Sequence, residues 1–162
     1  MRSGRRRRPD LPLAKGESVL AWAEAHDGTV VAGSRDALYL GEVRLPWERV
    51  EAADWDRDED RLRVSEVGTW GEDRVEHTFT FDEPGRLLQL VRERVTASVV
   101  LQRHVPVHGR RGLRVVARRA PRGDQPVAWF HEYDEGVDPQ DPDVRRAALD
   151  ALQTAREELG QA

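Results

Sequence analysis

Between residues 19 and 81 apolar and polar side chains alternate with a period of two, which puts successive side chains on opposite faces of a strand. VLAWAEA (19–25) predicts a first strand, His26-Asp27-Gly28 a tight turn, TVVAG (29–33) the returning strand, Ser34-Arg35-Asp36 the next turn and ALYLG (37–41) a third strand. VRLPW then leads into RVEAADWD (49–56), and Pro46, with no N–H for a ladder, makes the stretch around it an edge or a bend. After an acidic turn, Asp56 to Asp60, RLRVSEV (61–67) sets Leu62 and Val64 against Arg61 and Arg63. Beyond a longer loop, Gly68 to Arg74, VEHTFTF (75–81) sets Val75, His77, Phe79 and Phe81 on one face. Six short strands on short turns predict an antiparallel barrel or sandwich.

The period then becomes helical. Asp82 is the expected N-cap, Pro84 falls in the first turn, and Leu87, Leu88, Val91 and Val95 form one stripe, predicting a helix that caps the barrel's open end. Three more strands follow: SVVLQRHVPV (98–107), with Val99, Leu101, Val105 and Val107 on one face, LRVVARRA (113–120) and VAWFHEYDEG (127–136). Asp141 as N-cap and Pro142 at the first helical position start a last helix, whose apolar face is Val144, Ala148, Ala151, Leu152, Ala155 and Leu159. The fold class is mostly β (α+β): an antiparallel barrel or roll capped by a helix, then a three-stranded meander and a C-terminal helix. The domain reading is a disordered Arg-rich tail at 1–14, the capped barrel at 15–97, and an extension at 98–162 packed on the same domain.

Charge sharpens this picture. The 162 residues carry a formal net charge of −4, and without the five Arg of the first eight residues the remainder stands at −9. Such a body is a poor general ligand for nucleic acid or anionic lipid. A signal peptide would follow its basic start with an apolar run of about 7–15 residues; LPLAKGE is too short and too polar. No apolar run approaches the roughly 18–20 residues that cross a bilayer, and the absence of Cys excludes disulfides and thiolate metal sites. The expected setting is a bacterial cytoplasm, which the near-exclusive use of Arg over Lys, read as GC-rich codon usage, also suggests.

Residues 15 to 97 resemble the bacterial pleckstrin-homology-like (PH-like) domains. The likeness lies in the glutamate-led KGESVLAWAEA, the turn HDG, the short strands TVVAG and ALYLG, the element LPWERVEAADWD, the strand RLRVSEV and the helix after FTF. It implies a strongly bent antiparallel barrel with one corner closed by a C-terminal helix, in a family of mostly binding and scaffold modules rather than enzymes. The usual core of that family has seven strands where six are read here; LPWERVEAADWD as two strands around Pro46 would supply the seventh. Its lipid-binding members read phosphoinositide phosphates with basic residues in and beside the first hairpin loop. Here Ala25-His26-Asp27-Gly28 holds no Lys or Arg, and Glu24 and Asp27 would repel phosphate, so phosphoinositide is not expected as a ligand.

Other constellations point to structure more than to chemistry. Asp54, Asp56, Asp58 and Asp60 fail the calcium-loop pattern in both registers, for want of Gly at position six and Glu at position twelve. His104 and His108, four apart on a strand, lie about 13 Å apart, too far to chelate one ion; a composite site would need His131 to approach them from the last strand. His77 reads as a satisfied core histidine. Of the five Trp, four read as core filler; Trp70, between Gly68 and Gly71, is the leading partner-contact candidate. Residues 103–122 hold seven Arg and no acid, whereas 123–158 hold ten acids and three Arg. Pairing of the two strands sets Arg114 and Arg118 against Glu132 and Asp134 and leaves Arg110 and Arg111, at the turn, as the best anion contacts. No cofactor and no metal is expected.

The leading functional expectation is a non-enzymatic protein-interaction or scaffold module, self-association through a strand edge included. Nucleic-acid or anion binding through the N-terminal Arg tail and Arg110/Arg111 ranks second, and a small hydrophobic ligand at the barrel mouth third.

Overall fold

The computed structural model describes residues 9–68, 75–121 and 126–160. The chain divides into two compact units, Met1–Thr96 and Ala97–Ala162. The first begins with four short antiparallel strands in sequence order, β1 (Ala21–Glu24), β2 (Val30–Gly33), β3 (Ala37–Leu40) and β4 (Val43–Pro46). One 3-10 turn, Trp47–Arg49, turns the chain into a second meander, β5 (Val50–Asp56), β6 (Arg61–Glu66) and β7 (Glu76–Thr80).

The stretch around Pro46 is therefore an additional strand, the seventh before the helix. It pairs with β3 from Leu40↔Val43 to Ala37↔Pro46, and as an edge strand it tolerates a residue with no N–H. The expected closed barrel is not formed among the described residues: no backbone ladder joins the two meanders. His26 N–H donates to Thr80 O (2.9 Å), and Val67 N–H donates to Arg49 O (2.8 Å). The physical reason lies at the strand ends. β1 ends at Glu24, before its tight turn, and β4 ends where Pro46 and the 3-10 turn carry the backbone out of the sheet.

One apolar cluster still unites both meanders. It includes Leu38, Leu45, Trp47, Val50, Leu62, Val64 and Phe81, together with Leu87 and Val91 of α1 (Leu87–Ser98). The expected stripe on α1 is present, but the helix begins later than its Asp82 signal. Gly85 sits at φ 54°, which breaks helical continuity. Asp82 accepts from His26 Nε2 (2.6 Å) rather than capping α1. Val75, assigned from its spacing to the inner face, precedes β7 and is exposed.

The first sheet buries its other face as well. Ala32, Ala37, Tyr39 and Trp22 are covered by Leu11, Leu13 and Val19 of the segment before β1. Residues 9–14, which composition assigned to a disordered tail, thus contribute two packed leucines. Residues 1–8 lie outside the described residues.

In the second unit β8 (Val99–His108), β9 (Arg111–Arg118) and β10 (Ala128–Tyr133) form an antiparallel sheet in the order β10-β9-β8. Helix α2 (Pro142–Glu158) supplies Val144, Ala148 and Ala155 to a cluster with Leu101, Leu113, Val115 and Ala117. Asp141 caps it, Oδ1 accepting from Asp143 N–H at 2.9 Å, with Pro142 in the first turn. An irregularity between Val99 and Leu101 puts Val100, not Val99, against this core. Among the described residues no helix is long and apolar enough to cross a membrane.

Candidate functional site

A densely hydrogen-bonded polar group of the first unit is Glu17, just ahead of β1. Its side chain is only 2 % exposed. Oε1 accepts from Ser34 Oγ (3.0 Å) and Arg44 Nη2 (2.8 Å), and Oε2 accepts from the Tyr39 hydroxyl and Arg44 Nε (3.2 Å). Ala14 N–H donates to the Tyr39 hydroxyl oxygen at 3.1 Å, so the same hub ties the leucine-bearing segment to β3 and β4. Both carboxylate oxygens are used, which makes the hub a latch rather than a reactive centre.

Burial alone would raise the Glu17 pKa, but the hydrogen bonds from Arg44, Tyr39 and Ser34 outweigh it and hold the carboxyl at about 2, below its ordinary 4.5. The same bond to Glu17 raises Arg44. A depressed carboxylate pKa contributes stability that is complete above the unfolded value and is lost as pH falls through the folded one. Glu17→Gln is expected to cost about 2 kcal/mol at neutral pH, less than a fully buried pair because Arg44 is partly solvated. Urea midpoints would measure it. Between pH 4.5 and 2 the wild type should lose stability more steeply than the variant; parallel profiles would show that the latch carries no such energy.

A second feature lies between the start of β1 and α1. Leu20, Ala21, Arg86, Gln89, Leu90 and Glu93 line an open groove of about 400 Å³. Leu20 is 51 % exposed. Leu90 is half-buried against the main core and rests where Gly33 of β2, the partner of Ala21, has no side chain. A Cβ at Gly33 would stand 2.5 Å from Leu90 Cδ2. The Arg86 guanidinium makes no ion pair among the described residues, and the Glu93 carboxylate accepts from the Gln89 amide at 3.1 Å. The helical stripe did not include Leu90; its place one turn beyond Leu87 was the available signal.

The residues singled out from sequence lie elsewhere. Trp70 falls outside the described residues. Arg110 is exposed at the tip of the β8–β9 hairpin, whereas Arg111 donates to the Glu135 carbonyl at 3.3 Å. The basic strand is neutralised by its neighbour. Arg114 pairs in register with Glu132, Nη1 lying 3.9 Å from its carboxylate, and Arg118 reaches the same carboxylate at 3.8 Å. Asp134, assigned to the same ladder, instead accepts from His104 Nε2 (2.8 Å) and Gly112 N–H (2.8 Å), which lower its pKa in that order. The other tryptophans pack in cores: Trp47 and Trp55 in the main cluster, Trp22 under the leucine segment and Trp129 against the second unit's cluster.

Each histidine has its own acceptor. His77 Nε2 lies 2.8 Å from Glu66, His108 Nε2 lies 3.3 Å from Asp141, and His131 Nε2 lies 3.1 Å from the Ala148 carbonyl. The composite metal site that His131 would complete is not assembled, and among the described residues no group of three or more potential metal ligands occurs. In the acidic turn Asp56 Oδ1 accepts from Asp58 and Glu59 N–H, while Arg61 and Arg63 pair with Glu59 and Asp54. Compared with known protein families, curated proteins and solved structures, the chain has no match.

Proposed function

We propose that this chain is a non-enzymatic protein-interaction module of the bacterial cytoplasm whose first unit is a PH-like domain. The observation that carries the reading is the order of elements: a four-stranded meander, a three-stranded meander, then a helix whose Leu87 and Val91 enter the core common to both. Seven strands before the helix is the usual count of that family. The groove beside α1, with an exposed leucine in its wall, is the kind of surface such a module offers a partner.

Phosphoinositide is not the proposed ligand. The Asp27 carboxylate, its pKa lowered by the Thr29 N–H it accepts, keeps negative charge in the β1–β2 turn. The nucleic-acid reading draws on Arg110 and the N-terminal Arg run, but Arg111 sits against the acidic segment after β10, which repels phosphate.

Immobilised full-length chain should retain a bacterial lysate protein saturably, after nuclease treatment and at about 0.5 M salt, where phosphate-driven binding is largely screened. Recovery of nucleic acid alone, or of nothing, would overturn the reading.

A further inference from the structure

Resting on that reading, we infer that the groove between β1 and α1 takes an extended segment of a partner protein, with one apolar side chain flanked by an acidic residue on one side and a basic residue on the other. Leu20 and Leu90 supply the apolar seat, and Gly33 makes room for it by letting Leu90 lie against the β1–β2 pair. Charge sets the flanks. Arg86 precedes the first residue of α1 and Glu93 lies two turns further on, so their backbone positions are about 10 Å apart at 1.5 Å rise per residue. An extended chain advances about 3.3 Å per residue, so three residues span that distance. The acidic residue of the segment belongs at the Arg86 end and the basic residue at the Glu93 end, with the apolar side chain between them.

The opposite charges at the two ends favour this occupant over others. A polyanion would meet Glu93, and a uniformly basic segment would meet Arg86.

The test uses the full chain and two fluorescein-labelled peptides with Gly-Ser flanks, one carrying Asp-Leu-Ser-Arg and the other Lys-Leu-Ser-Arg, read by fluorescence anisotropy at low salt. The wild type should bind the first about tenfold more tightly, and Arg86→Glu should reverse the order, because the substitution turns an attraction into a repulsion. Leu20→Asp, at an exposed position, should weaken both peptides while leaving the circular dichroism spectrum unchanged. The inference is overturned if Arg86→Glu and wild type bind the two peptides in the same order. It is equally overturned if neither peptide gives saturable binding to the wild type up to about 1 mM. Retention of the lysate protein by both Arg86→Glu and Leu20→Asp would place the interaction elsewhere and leave the module reading intact. Loss of retention by the wild type itself would remove the module reading.

Discussion

Trp47→Ala is expected to destabilise the first unit by about 4 kcal/mol, the upper part of the range for deleting a buried aromatic side chain. Trp47 is completely buried in the cluster that joins the two meanders. It stands in the only turn between β4 and β5, and its Nε1 donates to Ser34 O at 2.9 Å. Alanine would open a cavity and also orphan that carbonyl. A domain of this size has only about 5–15 kcal/mol of stability, so the variant should be largely unfolded at moderate urea. Trp47→Phe keeps most of the volume and loses the hydrogen bond, and should cost about 1–2 kcal/mol. Urea titration with hydrogen exchange on β2, β3 and β6 separates the two variants. Equal midpoints for the two variants would mean that the N–H, not the ring, carries the whole contribution; a wild-type midpoint for Trp47→Ala would contradict the packing described.

Gly112→Ala should damage the second unit by about 3 kcal/mol or more, beyond ordinary overpacking. A Cβ at this position in β9 would lie 1.9 Å from the Val105 carbonyl oxygen and 2.8 Å from Pro106 Cα. Both are backbone atoms of β8, so no rotamer change relieves the contact. The residue is also held from the other side: its N–H donates to Asp134 Oδ2 (2.8 Å) and its carbonyl accepts from Asp134 N–H (3.0 Å). Displacing Gly112 would therefore disturb β8, β9 and the end of β10 together, and with them the His104–Asp134 bond. Hydrogen exchange should show loss of protection along β8 and β9 with β2 and β3 retained. A change within about 0.5 kcal/mol, typical of an unconstrained surface substitution, would show that the strands part easily.

How far these features could be read in advance varied with their range in sequence. Alternation at 61–67 placed Leu62 and Val64 inward because a strand's side-chain period is a local property. Asp141-Pro142 marked the start of α2 because capping is also local. The Arg114–Glu132 pairing followed from two consecutive strands of opposite charge. The Glu17 hub was not legible, since Ser34, Tyr39 and Arg44 lie 17, 22 and 27 residues away and none announces itself as a partner. Asp82 looked like a helix cap, yet a histidine on a distant turn claimed its carboxylate, and Gly85 delayed the helix. Pro46 hid a strand because an edge position removes the penalty for its missing N–H.

The amino-acid order by itself determined the sequence of strands and helices, apart from the edge strand at Val43–Pro46, and most of what each turns inward, because periodicity, turn chemistry and capping act over a few residues. Tertiary structure alone decided that the two meanders remain separate sheets, that a leucine-bearing segment covers the second face of the first one, and that Leu20, Leu90, Arg86 and Glu93 border one groove. Those outcomes depend on which distant surfaces meet. The sum of burial and hydrogen-bond satisfaction over the folded chain sets that choice, and no short window of residues contains it.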